Sequence, residues 1–155
     1  MSVMTGPPMT RTPWPGWPLS SVLPPMGALP TAPRTARMHL RDTLGEWGLP
    51  RLIEDGELVT SELVTNVVRR AHDPVTGKPV YVGGRLPVLQ FGLFSDRAVL
   101  LVSVWDQFAD PPVRKTATAD DESGRGLIMA ASIAASLDWF PAEGGKVVRA
   151  FLRAA

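Results

Sequence analysis

The first half of the chain repeats apolar residues every three or four positions, which is the spacing of amphipathic helices. A first helix is predicted from about Arg34 to Trp47. Its buried face consists of Ala36, Leu40, Leu44 and Trp47. Thr31 is expected to cap the start of this helix, and Gly48 followed by Pro50 is expected to end it.

A second helix is predicted from about Arg51 to Ala71 on the same grounds. Its buried stripe consists of Ile53, Leu58, Val59, Leu63, Val67 and Ala71. The following stretch, His72–Pro87, contains three glycines and three prolines. It is therefore predicted to be a loop, with a short strand over Val80–Val82.

Two strands are predicted after this loop. Val88–Phe94 alternates apolar and polar residues, whereas Ala98–Trp105 is nearly all apolar and should lie centrally in its sheet. Because Ser95–Arg97 leaves room only for a tight connection, the two strands should form an antiparallel hairpin.

The C-terminal part is predicted to hold a loop over Gln107–Ser123, a third helix over Gly126–Leu137, and two strands over Asp138–Pro141 and Lys146–Leu152. Helices and strands are thus partly segregated along the chain. This order favours an α/β (α+β) two-layer sandwich with a mixed, mostly antiparallel sheet and helices on one face.

The N-terminal segment differs from the rest, because nine of the 16 prolines fall within residues 1–33. Since proline interrupts helices and sheet ladders, Met1–Pro18 is predicted to be a disordered or loosely docked tail, and residues 19–155 the domain. Trp14 and Trp17 would be exposed apolar side chains in a free tail, so docking on the domain or on a partner is one option. An extension that is under little selection is the favoured interpretation. Leu19–Leu23 is predicted to form a short edge strand.

The composition excludes several classes of protein. With 155 residues and 45% hydrophobic content, the chain suits one globular domain. A net charge of +1 shows no excess of basic residues that would bind nucleic acid. The absence of cysteine excludes disulfides and thiolate chemistry. No apolar run is long enough for a membrane helix and no signal peptide is visible, so a cytoplasmic location without membrane attachment is expected.

The sharpest chemical pattern lies on the second predicted helix. Glu62 and Asn66 are four residues apart, so they share one face beside apolar positions. Their oxygens suit magnesium, and a carboxylate beside a metal-bound phosphate can orient or deprotonate an attacking hydroxyl. The alternative is the ordinary polar face of an amphipathic helix.

A second candidate, Asp106, directly follows the apolar strand. A buried carboxylate at the mouth of a sheet can accept a hydrogen bond from the exocyclic amine of adenine. A turn residue that merely ends the strand is the alternative.

Two glycine motifs follow. Gly124 and Gly126 flank Arg125 at the start of the third predicted helix, where backbone N–H groups favour a phosphate. A flexible lead into a capped helix is the alternative. For Gly144–Lys146, a turn with an incidental lysine is the favoured interpretation when the motif is taken alone.

In this order the motifs resemble those of the anti-sigma regulatory factor and serine-protein kinase family, whose ATP-binding fold is the Bergerat (histidine kinase-like, GHKL) fold. Glu57–Asn66 resembles the asparagine box of the family, Val102–Asp106 the strand that ends in the adenine-binding aspartate, and Gly124–Leu127 the second glycine box. Gly145–Val148 resembles the closing strand. The resemblance extends from about residue 31 to the C-terminus and is closest to short ATP-binding proteins of actinomycetes.

The resemblance implies roles for these residues. Glu62 would activate the group that attacks the γ-phosphate of ATP, Asn66 would hold Mg²⁺, and Asp106 would bind adenine. The other residues implied in ATP binding are Gly124, Arg125, Gly126, Leu127 and Lys146. The loop Gln107–Ser123 would form a lid over ATP.

One departure from the family pattern is Phe108, where relatives often have glycine two residues after the aspartate. A bulky side chain there is expected to restrict the floor of the adenine pocket or to displace the lid.

Two functions therefore remain open. The first is a serine/threonine kinase that phosphorylates an anti-anti-sigma (STAS-type) protein, sequesters a sigma factor, or does both. The second is a non-catalytic docking module with weak or lost nucleotide binding. The resemblance also implies a homodimer as one option, and the near-neutral charge argues against a nucleic-acid partner.

Overall fold

The computed structural model describes residues 17–112, 134 and 136–153, in which two helices cover one face of a six-stranded sheet. The helices are α1 (Ala32–Glu46) and α2 (Ile53–Arg70). The strands are β1 (Leu19–Val22), β2 (Met26–Gly27), β3 (Val88–Ser95), β4 (Val99–Asp106), β5 (Ser136–Ala142) and β6 (Gly145–Arg153). The predicted two-layer architecture is confirmed, and every described strand pair is antiparallel.

Helix α1 confirms the first predicted helix, although it begins two residues earlier, at Ala32. Thr31 occupies the N-cap position, but its side chain makes no capping hydrogen bond, so this part of the prediction is wrong. The Thr31 carbonyl instead accepts the backbone N–H of Thr35. Gly48, at φ +70°, ends the helix as expected, because glycine tolerates the left-handed region without a steric cost.

Helix α2 confirms the second predicted helix, but the residues directly before it, Pro50–Leu52, form a separate 3₁₀ helix. Val59, Leu63 and Val67 are buried as expected. Leu58 was expected in the same stripe and is 41% exposed, since its neighbour Val59 takes the inward position.

The sheet has the strand order β1-β3-β4-β6-β5, and β2 also pairs with β3. Strand β4 lies in the middle, as its apolar composition predicted, and seven of its eight residues are buried. The hairpin between β3 and β4 and the edge position of β1 are confirmed. The hairpin connection places Arg97 at φ +78°.

The final pair of strands is confirmed, but its first strand begins earlier than expected. Ser136 pairs with Phe151 and Leu137 with Ala150 in the ladder of β6, so these two residues belong to β5 and not to a third helix. Ala134, which is also described, forms a bend, and the rest of that predicted helix lies outside the described residues.

The short strand expected over Val80–Val82 does not form. Two isolated bridges replace it, His72 with Pro79 and Val82 with Arg85. Pro79 lacks a backbone donor, and the glycines after Val82 have positive φ, so the ladder cannot extend.

The core lies between the helices and the sheet. Alternate residues of β3 and β4, such as Phe91, Leu93 and Val102, face α1 and α2 and are fully buried. A smaller apolar cluster on the opposite face includes Phe94 and Trp105, and Trp17 packs against it. No described helix is long and apolar enough to cross a membrane. The boundary between tail and domain at residue 18 stays a prediction.

Candidate functional site

A cavity of about 600 Å³ opens between the C-terminal half of α2, the loop after it, and the adjoining ends of β4 and β6. Its lining comprises Leu63, Asn66, Val67, Arg69, Arg70, His72, Asp73, Pro74, Val80, Asp106, Asp110, Pro111, Pro112, Lys146 and Val148. Three residues predicted for nucleotide binding from separate parts of the sequence, Asn66, Asp106 and Lys146, thus line one cavity.

Asp106 is the last residue of β4, and only 1% of its surface is exposed. Its Oδ1 atom accepts the backbone N–H of Phe108 at 2.8 Å and the Lys146 ammonium at 3.0 Å. Its Oδ2 atom is buried and has no hydrogen-bond partner among the residues that the structure describes. A buried acceptor that lacks a partner is unusual in proteins and is available to a donor from a ligand.

Lys146 lies directly opposite Asp106 in the antiparallel ladder between β4 and β6. It is 5% exposed, and its Nζ atom also donates to the Phe108 carbonyl at 2.8 Å. A lysine that belonged only to a surface turn would be exposed to solvent. The interpretation of Lys146 as an incidental turn residue is therefore wrong. Its charge is buried because the carboxylate and the carbonyl replace the lost hydration.

The pKa of the Asp106 carboxyl group is raised, and the largest cause is its burial, which disfavours the charged form. The charge and hydrogen bond of Lys146 and the N–H of Phe108 act in the opposite direction. The nearby Asp110 carboxylate adds a small upward contribution. Lys146 is therefore the group that most favours the ionised form of Asp106.

Gly145 allows β6 to approach the end of β4 closely. A Cβ atom at this position would overlap the Asp106 carbonyl oxygen and lie 2.9 Å from the Gln107 Cα atom. Because both obstacles are backbone atoms, no side-chain rotation relieves the clash. This close approach is what brings Lys146 within reach of Asp106.

Phe108 does not form the floor of the cavity, contrary to the expectation from the family pattern. Its ring is 5% exposed and belongs to the core between the helices and the sheet. The Arg70 guanidinium lies 4.4 Å from the ring centroid and donates to both carboxylate oxygens of Asp110, at 3.2 and 2.9 Å. These contacts fix residues 108–110 against the end of α2.

The expected lid therefore begins with an anchored segment. The Gln107 side-chain oxygen accepts the backbone N–H of Val88 at 2.9 Å, which ties the chain to β3 just after Asp106. The remainder of the expected lid, from residue 113 to Ser123, lies outside the described residues.

The two candidate residues on α2 are placed differently. Asn66 lines the cavity, whereas Glu62, one turn earlier, is not among the described residues that line it. Both are partly exposed. Neither side chain forms a hydrogen bond within the described part of the chain, so both can rotate to meet a ligand.

The glycine motif predicted to contact phosphate, consisting of Gly124, Arg125, Gly126 and Leu127, lies outside the described residues. Its role in ATP binding stays a prediction.

Five polar residues of the cavity were not predicted as site residues from the sequence: Arg69, Arg70, His72, Asp73 and Asp110, of which Asp110 belongs to the expected lid. Asp73 accepts the backbone N–H groups of Val75 and Thr76, and these bonds, that of Thr76 first, lower its pKa. Asp73 followed by Pro74 and, soon after, Gly77 is typical of such a turn, but nothing in the sequence indicates that the turn borders a cavity.

The described residues contain no cluster of three or more histidine, cysteine or acidic side chains that could hold a metal ion by themselves. Magnesium commonly uses only one or two protein ligands together with water and phosphate oxygens. The Asn66 side chain at the cavity wall fits such a ligand set.

Comparison with known proteins agrees with this geometry. No curated protein matches the chain. A protein family described as the histidine kinase-like ATPase domain matches residues 26–152, a span that contains both helices, the whole cavity and most of the sheet. The chain therefore belongs to the histidine kinase-like ATPase domain family.

Proposed function

We propose that this protein binds Mg-ATP in the cavity beside α2 and transfers the γ-phosphate to a serine or threonine of a small anti-anti-sigma protein. The observation that supports the proposal most strongly is the meeting of Asn66, Asp106 and Lys146 in one cavity. Membership of an ATPase domain family supports ATP binding. The kinase activity, the partner and a cytoplasmic location are proposals.

The cavity has the size and chemistry of a nucleotide site. Its volume of about 600 Å³ lies within the range of small-molecule pockets. Apolar side chains such as Leu63, Val67 and Val148 provide surface for a purine ring, and Asp106 provides a buried acceptor for its amine.

Asn66 is proposed to hold magnesium, together with phosphate oxygens. When bound, the ion would neutralise charge that develops on the phosphates during transfer. Arg69 and Arg70 also line the cavity and add positive charge on the same helix. The glycine motif Gly124–Leu127 is proposed to contact the phosphates.

Glu62 is proposed to orient the attacking hydroxyl of the partner and to accept its proton. It lies one turn before Asn66 on the same helix and is partly exposed, so a hydroxyl approaching from outside the cavity can reach it. Phosphoryl transfer of this kind depends mainly on positioning and electrostatics, and needs no covalent intermediate on the protein.

A phosphorylation assay tests this proposal. The full chain is incubated with ATP labelled at the γ-phosphate, Mg²⁺ and a candidate anti-anti-sigma protein. We expect label on the partner, and we expect Glu62→Gln to reduce its rate by about a hundredfold or more. Glu54→Gln, on an exposed residue of the same helix, is the matched control and should leave the rate unchanged.

The assay has two outcomes that count against the proposal. Failure to label any anti-anti-sigma protein would contradict the kinase function. Equal rates for the wild type and Glu62→Gln would show that another residue activates the hydroxyl.

A docking module without catalysis is the second candidate. It is favoured by the position of Glu62 outside the cavity lining and by Lys146, which already occupies one oxygen of Asp106. In that case the partner, an anti-anti-sigma protein or a sigma factor, would bind equally well with or without ATP. Calorimetric titration of the partner, with and without Mg-ATP, separates the two candidates.

A further inference from the structure

The ion pair between Asp106 and Lys146 is unusual because both charges are buried at a cavity wall. Their side chains are only 1% and 7% exposed. Ion pairs in water-free surroundings gain little stability over apolar residues of similar size, because desolvation offsets the attraction. Stability alone therefore gives a weak reason for a pair in this position.

Among the described residues, the hydrogen bonds that Asp106 accepts fall on only one of its two carboxylate oxygens. Both donors, the Phe108 N–H and the Lys146 ammonium, bind Oδ1 of Asp106, at 2.8 and 3.0 Å. Oδ2 of the same carboxylate has no partner in the described part of the chain. The ammonium itself is held from a second side by the Phe108 carbonyl, at 2.8 Å. The carboxylate is thus held by one oxygen, and the other oxygen stays available.

Such an arrangement fixes both the orientation and the charge of the carboxylate. Because both donors bind Oδ1, a proton taken up by the carboxyl group would sit on Oδ2, which would then present an O–H donor to the amine in place of a free acceptor. Burial acts to protonate Asp106, and Lys146 is the largest opposing influence.

We infer that Lys146 is a positioning residue for the nucleotide base, which holds Asp106 ionised and turned so that Oδ2 remains the acceptor for the exocyclic amine. The inference rests on the proposed function, because it assumes that the cavity binds a base. Lys146 acts through Asp106, and no direct contact between Lys146 and the base is required.

The inference makes a specific statement about pH. With Lys146 present, its charge favours the ionised form of Asp106, so base binding should change little with pH. Without its charge, burial should raise the pKa of Asp106 further, and binding should weaken as the pH falls. Among the described residues, the other titratable or charged groups on the cavity wall are Arg69, Arg70, His72, Asp73 and Asp110. They are the same in the wild type and in every variant below, so they do not account for a difference between them.

The test compares the wild type with Lys146→Met, and with Lys146→Gln in case the methionine variant does not fold. Glutamine lacks the charge but keeps a donor for Asp106. Lys78→Met, on an exposed lysine outside the cavity lining, is the matched control. Two quantities are measured between about pH 6 and about pH 9: the affinity for Mg-ATP by calorimetry, and the titration of the Asp106 carboxyl carbon by NMR.

We expect the affinity of the wild type and of Lys78→Met to vary by less than about threefold over this range. In Lys146→Met or Lys146→Gln it should be about tenfold weaker at the acidic end and should recover as the pH rises. The carboxyl titration of Asp106 should move to higher pH in the same variants.

A pH-independent loss of affinity, or an Asp106 titration that does not move, would overturn the inference. If the wild type binds no Mg-ATP at any pH, the proposed function fails instead. In that case the inference about base binding is overturned too. The carboxyl titration still shows whether the charge of Lys146 favours the ionised form of Asp106.

Discussion

The two ends of the candidate site differ in how firmly the protein holds them. At the sheet end, Asp106, Phe108 and Lys146 are buried and bonded to one another, and Gly145 permits the close approach of their strands. At the helix end, Asn66 and Glu62 are partly exposed, and their side chains make no hydrogen bond within the described residues.

This difference indicates a division of roles. A base requires a rigid, dry pocket, because its hydrogen bonds distinguish it only where water is excluded. Phosphates and magnesium require groups that can adjust, because their partners arrive with the ligand. Changes at the sheet end should therefore reduce folding stability, whereas changes at the helix end should reduce binding alone.

The largest expected effect concerns Phe108. Phe108→Ala should lower the free energy of unfolding by about 3 kcal/mol, because it leaves a cavity under α2. Urea denaturation measures the change. Tyr81→Ala, at an aromatic residue that is 64% exposed, is the control and should cost less than about 0.5 kcal/mol. Equal costs for both variants would show that Phe108 does not belong to the core.

Gly145→Ala should have the next largest effect, a loss of about 2 kcal/mol, because its Cβ atom meets backbone atoms of Asp106 and Gln107. Gly45→Ala is the matched control, since a Cβ atom there meets nothing within 4 Å. As Gly45 lies in α1, this control should gain up to about 1 kcal/mol in denaturation experiments. A Gly145→Ala protein as stable as the wild type would refute the close approach.

At the helix end, Asn66→Ala should change the free energy of unfolding by less than about 0.5 kcal/mol, because the side chain makes no hydrogen bond within the described residues. Its affinity for Mg-ATP should nevertheless fall by about tenfold, which corresponds to about 1.4 kcal/mol. Denaturation and calorimetry on the same preparation measure both values. A large loss of stability would contradict the division between the two ends.

The smallest expected effect concerns the ion pair that connects the two ends, Arg70 with Asp110. Because both side chains are nearly half exposed, Asp110→Asn should cost at most about 1 kcal/mol at neutral pH, and less in high salt. The hydrogen bond from Arg70 is the main cause that lowers the pKa of Asp110.

The pH dependence of this pair follows from the direction of that shift. Since the folded-state pKa of Asp110 lies below its unfolded value, its stabilising contribution is present above the unfolded value. It is lost as the pH falls through the folded pKa. The melting temperature of Asp110→Asn should therefore fall less steeply below about pH 4 than the melting temperature of the wild type. Parallel acid profiles would contradict this account.

The sequence predicted most of the fold because apolar spacing records which residues are buried. It identified α1, α2, the hairpin of β3 and β4, and the central position of β4. It failed at Ser136 and Leu137, since a run of small residues gives no period that separates helix from strand. The prediction also failed at Leu58, because Leu58 and Val59 are both apolar and the pattern does not show which of the two faces the core.

The site was less predictable than the fold. Asn66 and Asp106 were identified because each stands out beside apolar neighbours on a periodic element. The pairing of Lys146 with Asp106 depends on the register of β4 against β6, which no local pattern specifies. The position of Phe108 in the core likewise depends on the path of the chain after Asp106, and not on its residue type.

Calorimetric titration of the full chain with Mg-ATP, compared with Asn66→Ala and Asp106→Asn, tests the central claim most directly. If the cavity is the nucleotide site, the wild type should bind between micromolar and submillimolar concentrations, and both variants should bind about tenfold more weakly or worse. No binding by the wild type, or equal binding by folded forms of all three proteins, would contradict the assignment of this cavity to ATP.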